Sequence, residues 1–174
     1  MLISFSGLPG TGKTTIARQV ARYLAAVYLR IDSIEQVMRG AGWQVEGEGY
    51  SVACAVAEDN LRLGHTVVTD CVNPWPLTRT AWRAAAERAG APMLDVEIVC
   101  SNSREHERRV EERVADIAGH KLPTWRDVVE RDYRPWDTQR LVIDTARLGV
   151  EESVQTILAE MRAPRTGRAD DGSD

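Results

Sequence analysis

An apolar run, Leu2 to Ser6, feeds straight into Gly7-Leu8-Pro9-Gly10-Thr11-Gly12-Lys13-Thr14, and an amphipathic stretch then continues to Ala25. No other segment restricts the fold so tightly. Gly7, Gly12, Lys13 and Thr14 satisfy G-x-x-x-x-G-K-[ST], the P-loop or Walker A pattern, in its required setting of strand before and helix after. Glycine has no Cβ and tolerates positive φ, so the backbone can curl and aim successive N–H groups into one anion-binding nest. The helix starting near Lys13 adds unpaired N–H groups and the positive end of its dipole. Lys13 is expected to reach the β/γ-phosphates and the Thr14 hydroxyl to ligate Mg²⁺. Pro9, Gly10, Thr11 and Thr15 complete the expected nucleotide contacts.

The rest of the chain alternates. Lys13 to Ala25 carries Ile16, Val20 and Leu24 on one stripe, with Arg18 and Arg22 elsewhere on the wheel. Val27 to Ile31 is a short β-prone run ending at Asp32. Ser33 with Gln36 three residues on predicts a capping box, followed by a short helix through Ile34, Val37 and Met38. Residues 40–49 hold four glycines and predict a mobile loop. Helical periodicity returns over 50–63, a buried strand runs from Thr66 to Thr69, and Asn73-Pro74-Trp75-Pro76 breaks the chain. A helix over 77–88, a strand over 93–100, and a charged helix from Ser103 to Ala118 follow. Thr124 with Asp127 starts a further helical segment running toward Tyr133. Leu141 to Asp144 predicts the fifth strand and Val150 to Arg162 the last helix. The expected organisation is one domain over 1–162, with a polar, disordered tail over 163–174.

Strands alternating with helices imply an α/β fold, a parallel sheet with right-handed crossovers and helices on both faces. Ligands then bind at the carboxyl ends of the strands. Gly7, Asp32, Asp70 and Cys100-Ser101 all follow strands, so they converge on one edge. Asp70, ending Thr66-Val67-Val68-Thr69, stands where a Walker B acid would face the metal beside Thr14, although an acid there also caps a turn. Asp32 stands where a carboxylate could take the proton of an attacking hydroxyl; an acid ahead of a helix also simply favours the dipole. Arg109 and Arg113, four apart, share a helix face and could neutralise charge on a transferring phosphoryl group, or belong to a solvated, charge-laced face with Glu105. Trp43 and Trp75, on loops near the expected site, could wall a substrate pocket or simply pack; Trp82 falls inside a helix and suits the core. His65, His106 and His120 show no metal spacing and receive no role.

Composition sets the limits. The chain has 174 residues, 43% hydrophobic and 28% charged, which suits an ordinary globular domain able to bury about 70% of its unfolded surface. A net charge of −4 argues against non-specific nucleic-acid binding. Cys54, Cys71 and Cys100 lack C-x-x-C spacing and predict reduced thiols of a cytoplasmic protein. The longest apolar run, Tyr23 to Leu29, is far short of a membrane span.

These residues resemble a known family. The loop Gly7–Thr14, Asp32-Ser33, and Thr69-Asp70-Cys71-Val72-Asn73 followed by Arg79 look like the P-loop kinases grouped around phage polynucleotide kinase, similar also to chloramphenicol phosphotransferase, gluconate kinase and zeta-toxin-type kinases, small kinases of AAA type. The resemblance implies a P-loop NTPase three-layer sandwich, a five-stranded parallel sheet in the order 2-3-1-4-5, and a helical lid over about 103–136. It implies ATP, Mg²⁺ and transfer of the γ-phosphoryl group to a hydroxyl. By position Asp32 resembles the general base, and Arg113 with Arg109 the lid arginines over ATP. Arg79 resembles an acceptor-binding arginine. Asp70-Cys71-Val72-Asn73 is one residue longer than the family's Asp-x-Asn. Asp144-Thr145-Ala146 resembles the segment that holds the adenine.

The leading expectation is therefore an ATP-dependent kinase, monomer or dimer, acting on a hydroxyl of a small molecule: a metabolite, sugar or antibiotic. Its catalytic set is Asp32, Lys13, Arg113 and Arg109, its metal set Thr14 and Asp70, and its acceptor set Asp32, Arg79, Asn73, Trp43 and Trp75. A 5′-hydroxyl polynucleotide or nucleoside kinase is the alternative, and an ATP-binding switch module the third reading.

Overall fold

The computed structural model describes residues 1–163. The expected tail beyond Ala163 lies outside the described residues. Five parallel strands, β1 (Leu2–Ser6), β2 (Val27–Arg30), β3 (Val67–Asp70), β4 (Met93–Val99) and β5 (Leu141–Asp144), form one sheet in the order β2-β3-β1-β4-β5. The helices are α1 (Lys13–Tyr23), α2 (Ile31–Gly40), α3 (Glu48–Arg62), α4 (Pro76–Arg88), α5 (Ser103–Glu111), α6 (Trp125–Val129) and α7 (Val150–Arg162). The strand order is the one the resemblance implied. No helix among the described residues is long and apolar enough to cross a membrane.

Period-2 alternation sorts the strand side chains to two faces. Ile3, Phe5, Val68, Val96, Ile98 and Ile143 turn to one side, where they pack with Ile16 and Val20 of α1 and Ile157 of α7. Leu2 and Val67 turn to the other, against Ala53, Ala57 and Leu61 of α3 and Trp82, Ala85 and Ala86 of α4. Both faces of the sheet are thus covered, so even the polar strand residues Ser4, Ser6, Thr69, Asp95 and Glu97 are buried.

Register positions the site. Phe5 lies opposite Asp70, and Arg30 lies opposite Asp70 on the other side. The carboxyl ends of β2, β3 and β1 therefore finish level with one another, beside the loop that follows Ser6.

Several boundaries differ from the sequence reading. The helix expected after Asp32 starts earlier: α2 begins at Ile31 with Arg30 at its N-cap, so Asp32 sits in the first helical turn and the Ser33–Gln36 capping box is not used. The charged helix expected to reach Ala118 stops at Glu111, and residues 112–124 form neither helix nor strand. Its own i,i+4 charge pairs support it only to Glu112, because Val114, Ala115, Ile117 and Ala118 offer no charged partners. The capping box at Thr124 forms as expected, with Asp127 reciprocating, but α6 ends at Val129.

Trp82 is the largest fully buried side chain and bridges α4 to the sheet. Trp82→Ala should destabilise the chain by about 3–5 kcal/mol, read as a lower urea midpoint by far-ultraviolet circular dichroism. A loss below about 1 kcal/mol would place Trp82 outside the core.

Candidate active site

The loop after β1 is held by its neighbours as much as by its own turns. The Gly7 N–H donates to the Val72 carbonyl at 3.1 Å, and Thr11 Oγ1 donates to the Leu8 carbonyl at 2.9 Å. Gly7 (φ +138°) could not carry a side chain: a Cβ would stand 2.2 Å from the Ile98 carbonyl oxygen. At Gly10 (φ +83°) a Cβ would stand 2.4 Å from Val110 Cγ2 of α5. These two glycines are there because β4 and α5 press directly on the loop. Gly12 caps α1, whose first residues are Lys13, Thr14 and Thr15.

Under the loop lies a cluster of buried charge. Lys13 Nζ is 3.3 Å from Asp70 Oδ1, with side-chain exposures of 9% and 2%. Tyr28 donates to Asp70 Oδ2 at 2.7 Å, and Arg30 Nε lies 3.8 Å from the same oxygen. Burial alone would push the Asp70 carboxyl up; Lys13, the Tyr28 and Thr14 hydroxyls, and Arg30 outweigh it and hold the carboxyl below its ordinary range. Burial beside Asp70 pushes the Tyr28 hydroxyl far upward, so it stays a donor.

Two cavities open at this place. One, of about 280 Å³, is lined by Gly10, Gly12, Lys13, Thr14 and Thr15 together with Arg18, Arg109 and Arg113. The other, of about 1050 Å³, is lined by Pro9, by Asp32, Glu35, Gln36 and Arg39 of α2, by Trp75, and by residues on either side of α6's start. Lys13 and Arg113 line both. Asp32, Glu35, Gln36 and Arg39 stand at i, i+3, i+4 and i+7, one polar stripe along α2. Gly7 and Thr11 line neither cavity and serve as the loop's scaffold.

The helix α5 is tied to the loop through side chains. Arg109 donates from Nη1 to Thr145 Oγ1 at 2.9 Å and from Nη2 to the Thr145 carbonyl at 3.2 Å. Thr145 Oγ1 lies 2.8 Å from the Thr11 carbonyl, to which it donates. His106, given no role by the sequence, is buried with Nε2 at 2.8 Å from the Pro9 carbonyl and stacks edge-on with Trp125 at 5.1 Å. His106 and Val110 are four apart on α5, and that shared face is the signal that could have found them.

Three expected acceptor residues fall elsewhere. Arg79 is 2% exposed; its guanidinium donates to the carbonyls of Asn73, Pro74, Arg134 and Pro135 and stacks 4.2 Å from the Trp136 ring centroid. It clamps the segment after α6 onto the start of α4 and does not reach either cavity. Asn73 is fully buried at φ +52°, its Nδ2 donating to Ser6 Oγ at 3.0 Å. Its backbone N–H donates to Tyr50 and its side chain turns inward to Ser6 rather than into either cavity. Trp43 is 63% exposed on the connection between α2 and α3 and lines neither cavity, whereas Trp75 does line the larger one, with Nε1 donating to Asp132. Sequence reasoning also missed Tyr28, Arg30 and Asp116, which complete the charge cluster.

The stability contributed by Asp70 is fully present above the ordinary carboxyl value of 3.8 and is lost as pH falls through the lowered folded value. Asp70→Asn removes that contribution and leaves Lys13 and Arg30 short of a counter-charge. The melting temperatures of wild type and Asp70→Asn should therefore be widely separated near pH 7 and draw together as pH falls below 3.8 through the lowered folded value. A separation that does not change with pH would mean that the carboxylate charge is not what stabilises the site.

A family model described as "AAA domain" matches residues 2–131. The chain is 25% identical over 171 residues, covering 94% of itself and 93% of the relative, to a protein of Aeropyrum pernix named "Probable adenylyl-sulfate kinase". Among solved structures it superimposes with a TM-score of 0.72 on the Mycobacterium tuberculosis APS kinase CysC in complex with AMPPNP and APS, at 19% identity, covering 93% of this chain and 97% of that one. It also superimposes with a TM-score of 0.59 on a gluconokinase from Sinorhizobium meliloti, at 19% identity over 90% and 89% of the two chains. The order of the sheet, the loop after its central strand and the match over residues 2–131 agree: the chain belongs to the AAA-domain family of small P-loop kinases.

Proposed function

We propose that this chain is an ATP- and Mg²⁺-dependent kinase that transfers the γ-phosphoryl group to a hydroxyl of a small polar acceptor. The observation that carries this reading is the pair of adjoining cavities that share Lys13 and Arg113, one walled by the glycine-rich loop and the other by Asp32. A nucleotide with its phosphates in the first would present its terminal phosphate toward the second. The acceptor oxygen would attack the γ-phosphorus, its proton passing to Asp32 as the bond to the β-phosphate breaks and ADP leaves. Lys13, Arg113 and Arg109 would offset the charge on the transferring group.

The Thr14 hydroxyl and Asp70 carboxylate are hard oxygen donors beside the loop, which suits Mg²⁺ and its retained waters. The metal supplies neutralisation of the phosphate oxygens. Lys13 would exchange part of its pairing with Asp70 for the phosphates. Thr145, locked by Arg109, borders the loop on the side expected to hold the adenine.

The acceptor cavity, about 1050 Å³, is of the size that suits a metabolite. With Arg79 engaged by four backbone carbonyls, the residue that most favoured a polynucleotide acceptor is unavailable to it. Residues 103–136 would act as the lid of one kinase domain spanning 1–162. Three free thiols suit work in the reducing cytoplasm.

A panel of sugars, gluconate, nucleosides, adenylyl sulfate and aminoglycoside or phenicol antibiotics, with ATP labelled in the γ-phosphate, would identify the acceptor. On that acceptor Asp32→Asn should lower turnover by about 10²–10⁴-fold while leaving the dissociation constant for ATP within about twofold. Undiminished turnover would remove Asp32 as the base.

A further inference from the structure

Three carboxylates surround one buried guanidinium. Arg30, the last residue of β2, has a side chain only 3% exposed. Its Nη1 donates to Asp116 Oδ2 at 2.8 Å and its Nη2 to Asp116 Oδ1 at 3.0 Å, a bidentate pair. The other two carboxylates stand farther off: Asp32 Oδ2 is 3.7 Å from Nη2 and Asp70 Oδ2 is 3.8 Å from Nε. Nε itself makes no hydrogen bond.

Asp116 does not belong to the sheet. It lies in the segment 112–124 between α5 and α6, three residues beyond Arg113. Arg18 of α1 donates to its Oδ2 at 2.6 Å, so one lid carboxylate is gripped by cations from β2 and from α1. This grip closes the wall of the smaller cavity, where Arg18, Arg113 and Asp116 all contribute.

A guanidinium this deeply buried cannot turn to water and is strongly unfavourable without a counter-charge. If Asp116 lifts away with the lid segment, the nearest carboxylates are the other two. Those are the base and the metal-side acid of the reaction proposed above, on which this inference rests. Arg30 on Asp32 would weaken that carboxylate as a proton acceptor, and Arg30 on Asp70 would compete with the metal.

We infer that Asp116 is a positioning residue for phosphoryl transfer: by occupying both Nη groups of Arg30 it holds the guanidinium at 3.7 Å from Asp32 and 3.8 Å from Asp70, in loose ion pairs short of a hydrogen bond. The two carboxylates are then available only while the lid segment lies on the loop. The lid thus acts on the chemistry through Arg30 as well as by excluding water.

The test is a double-mutant cycle on the full chain, with two readouts. The first is release of labelled phosphate from ATP, with the acceptor where known and with water otherwise. Asp116→Asn should lower kcat by about 10- to 100-fold with KM for ATP within about twofold, and Asp116→Glu should recover most of the loss. In an Arg30→Gln background, Asp116→Asn should cost less than about threefold, because no guanidinium remains to be held away. The second readout needs no turnover: the Mg²⁺ concentration that half-saturates the Mg²⁺-dependent gain in binding of a fluorescent ATP analogue. It should rise at least about fivefold in Asp116→Asn, while metal-free binding of the analogue stays within about twofold. An equal kcat loss with and without Arg30, or an unmoved Mg²⁺ midpoint, overturns the inference. If Arg30→Gln does not fold, the Mg²⁺ midpoints of Asp116→Asn and Asp116→Glu decide alone. Absence of Mg²⁺-dependent nucleotide binding in the wild type would instead overturn the kinase reading.

Discussion

Lys13 and Asp70 are two opposite charges taken out of water 3.3 Å apart at the end of the central strands. Such a pair is costly to bury, and its mutual attraction offsets that cost only when the remaining donors and acceptors are also satisfied. Here the Asp70 carboxylate is well supplied: Tyr28 donates to it from β2, Thr14 approaches from α1, and Arg30 of β2 adds a second positive charge. The partners come from β2 and α1 and meet on the last residue of β3, so the cluster ties β2, β3 and α1 together as well as bearing charge. A phosphate delivered to the loop adds anionic oxygens that Lys13 can take. The cost of burying the lysine is thereby met before the ligand arrives, which is preorganisation in the electrostatic sense.

The same constraint explains how α5 is attached. A helix lying on the glycine-rich loop must leave the loop's N–H groups free, so it can bond only to carbonyls and side chains at the margins. His106 at the Pro9 carbonyl and Arg109 at Thr145 do so. Val110 takes the space left by the missing side chain of Gly10. Beyond Glu111 the chain gives up helical structure, and Asp116 can then reach down to Arg30 and Arg18. A helix continued to Ala118 would have followed the direction of α5, and its regular hydrogen bonding would have held back the segment that makes this contact.

The fold was legible because its signals are local. A glycine-rich loop between an apolar strand and an amphipathic helix has few meanings, and β5 and α7 have the bounds their patterns predicted. The placement of Asp32 and Asp70 near Lys13 was equally readable, since any residue that ends a parallel strand arrives at the same edge. What remained hidden depends on distant partners. Arg79 looks like any arginine on a helix until Trp136 and the carbonyls of residues 134 and 135 close around it from some 55 positions away. Asn73 sits at φ +52°, and its side chain turns toward Ser6 rather than outward. Asp116 carries no local mark at all: unlike Asp127, it has no capping partner in its own segment to single it out.

The helix α2 shows why apolar periodicity alone can mislead at a site. Ile34, Val37 and Met38 suggested the packed face, yet Val37 is 73% exposed. The informative stripe is the polar one, Asp32, Glu35, Gln36 and Arg39, which faces the larger cavity. Its first residue is fixed in the first turn of the helix, next to the Arg30 N-cap, and so is oriented by backbone that has little freedom. The residues one and two turns on are carried rigidly with it, and Glu35 already spends its carboxylate on Arg39 at 2.8 Å. In such an arrangement the proposed base, Asp32, and the side chains that would discriminate among acceptors would move as one body. A change of acceptor then needs substitutions along a single helix face, while the loop, Lys13 and Asp70 stay as they are. The fold can thus serve many acceptors without altering how it holds the donor.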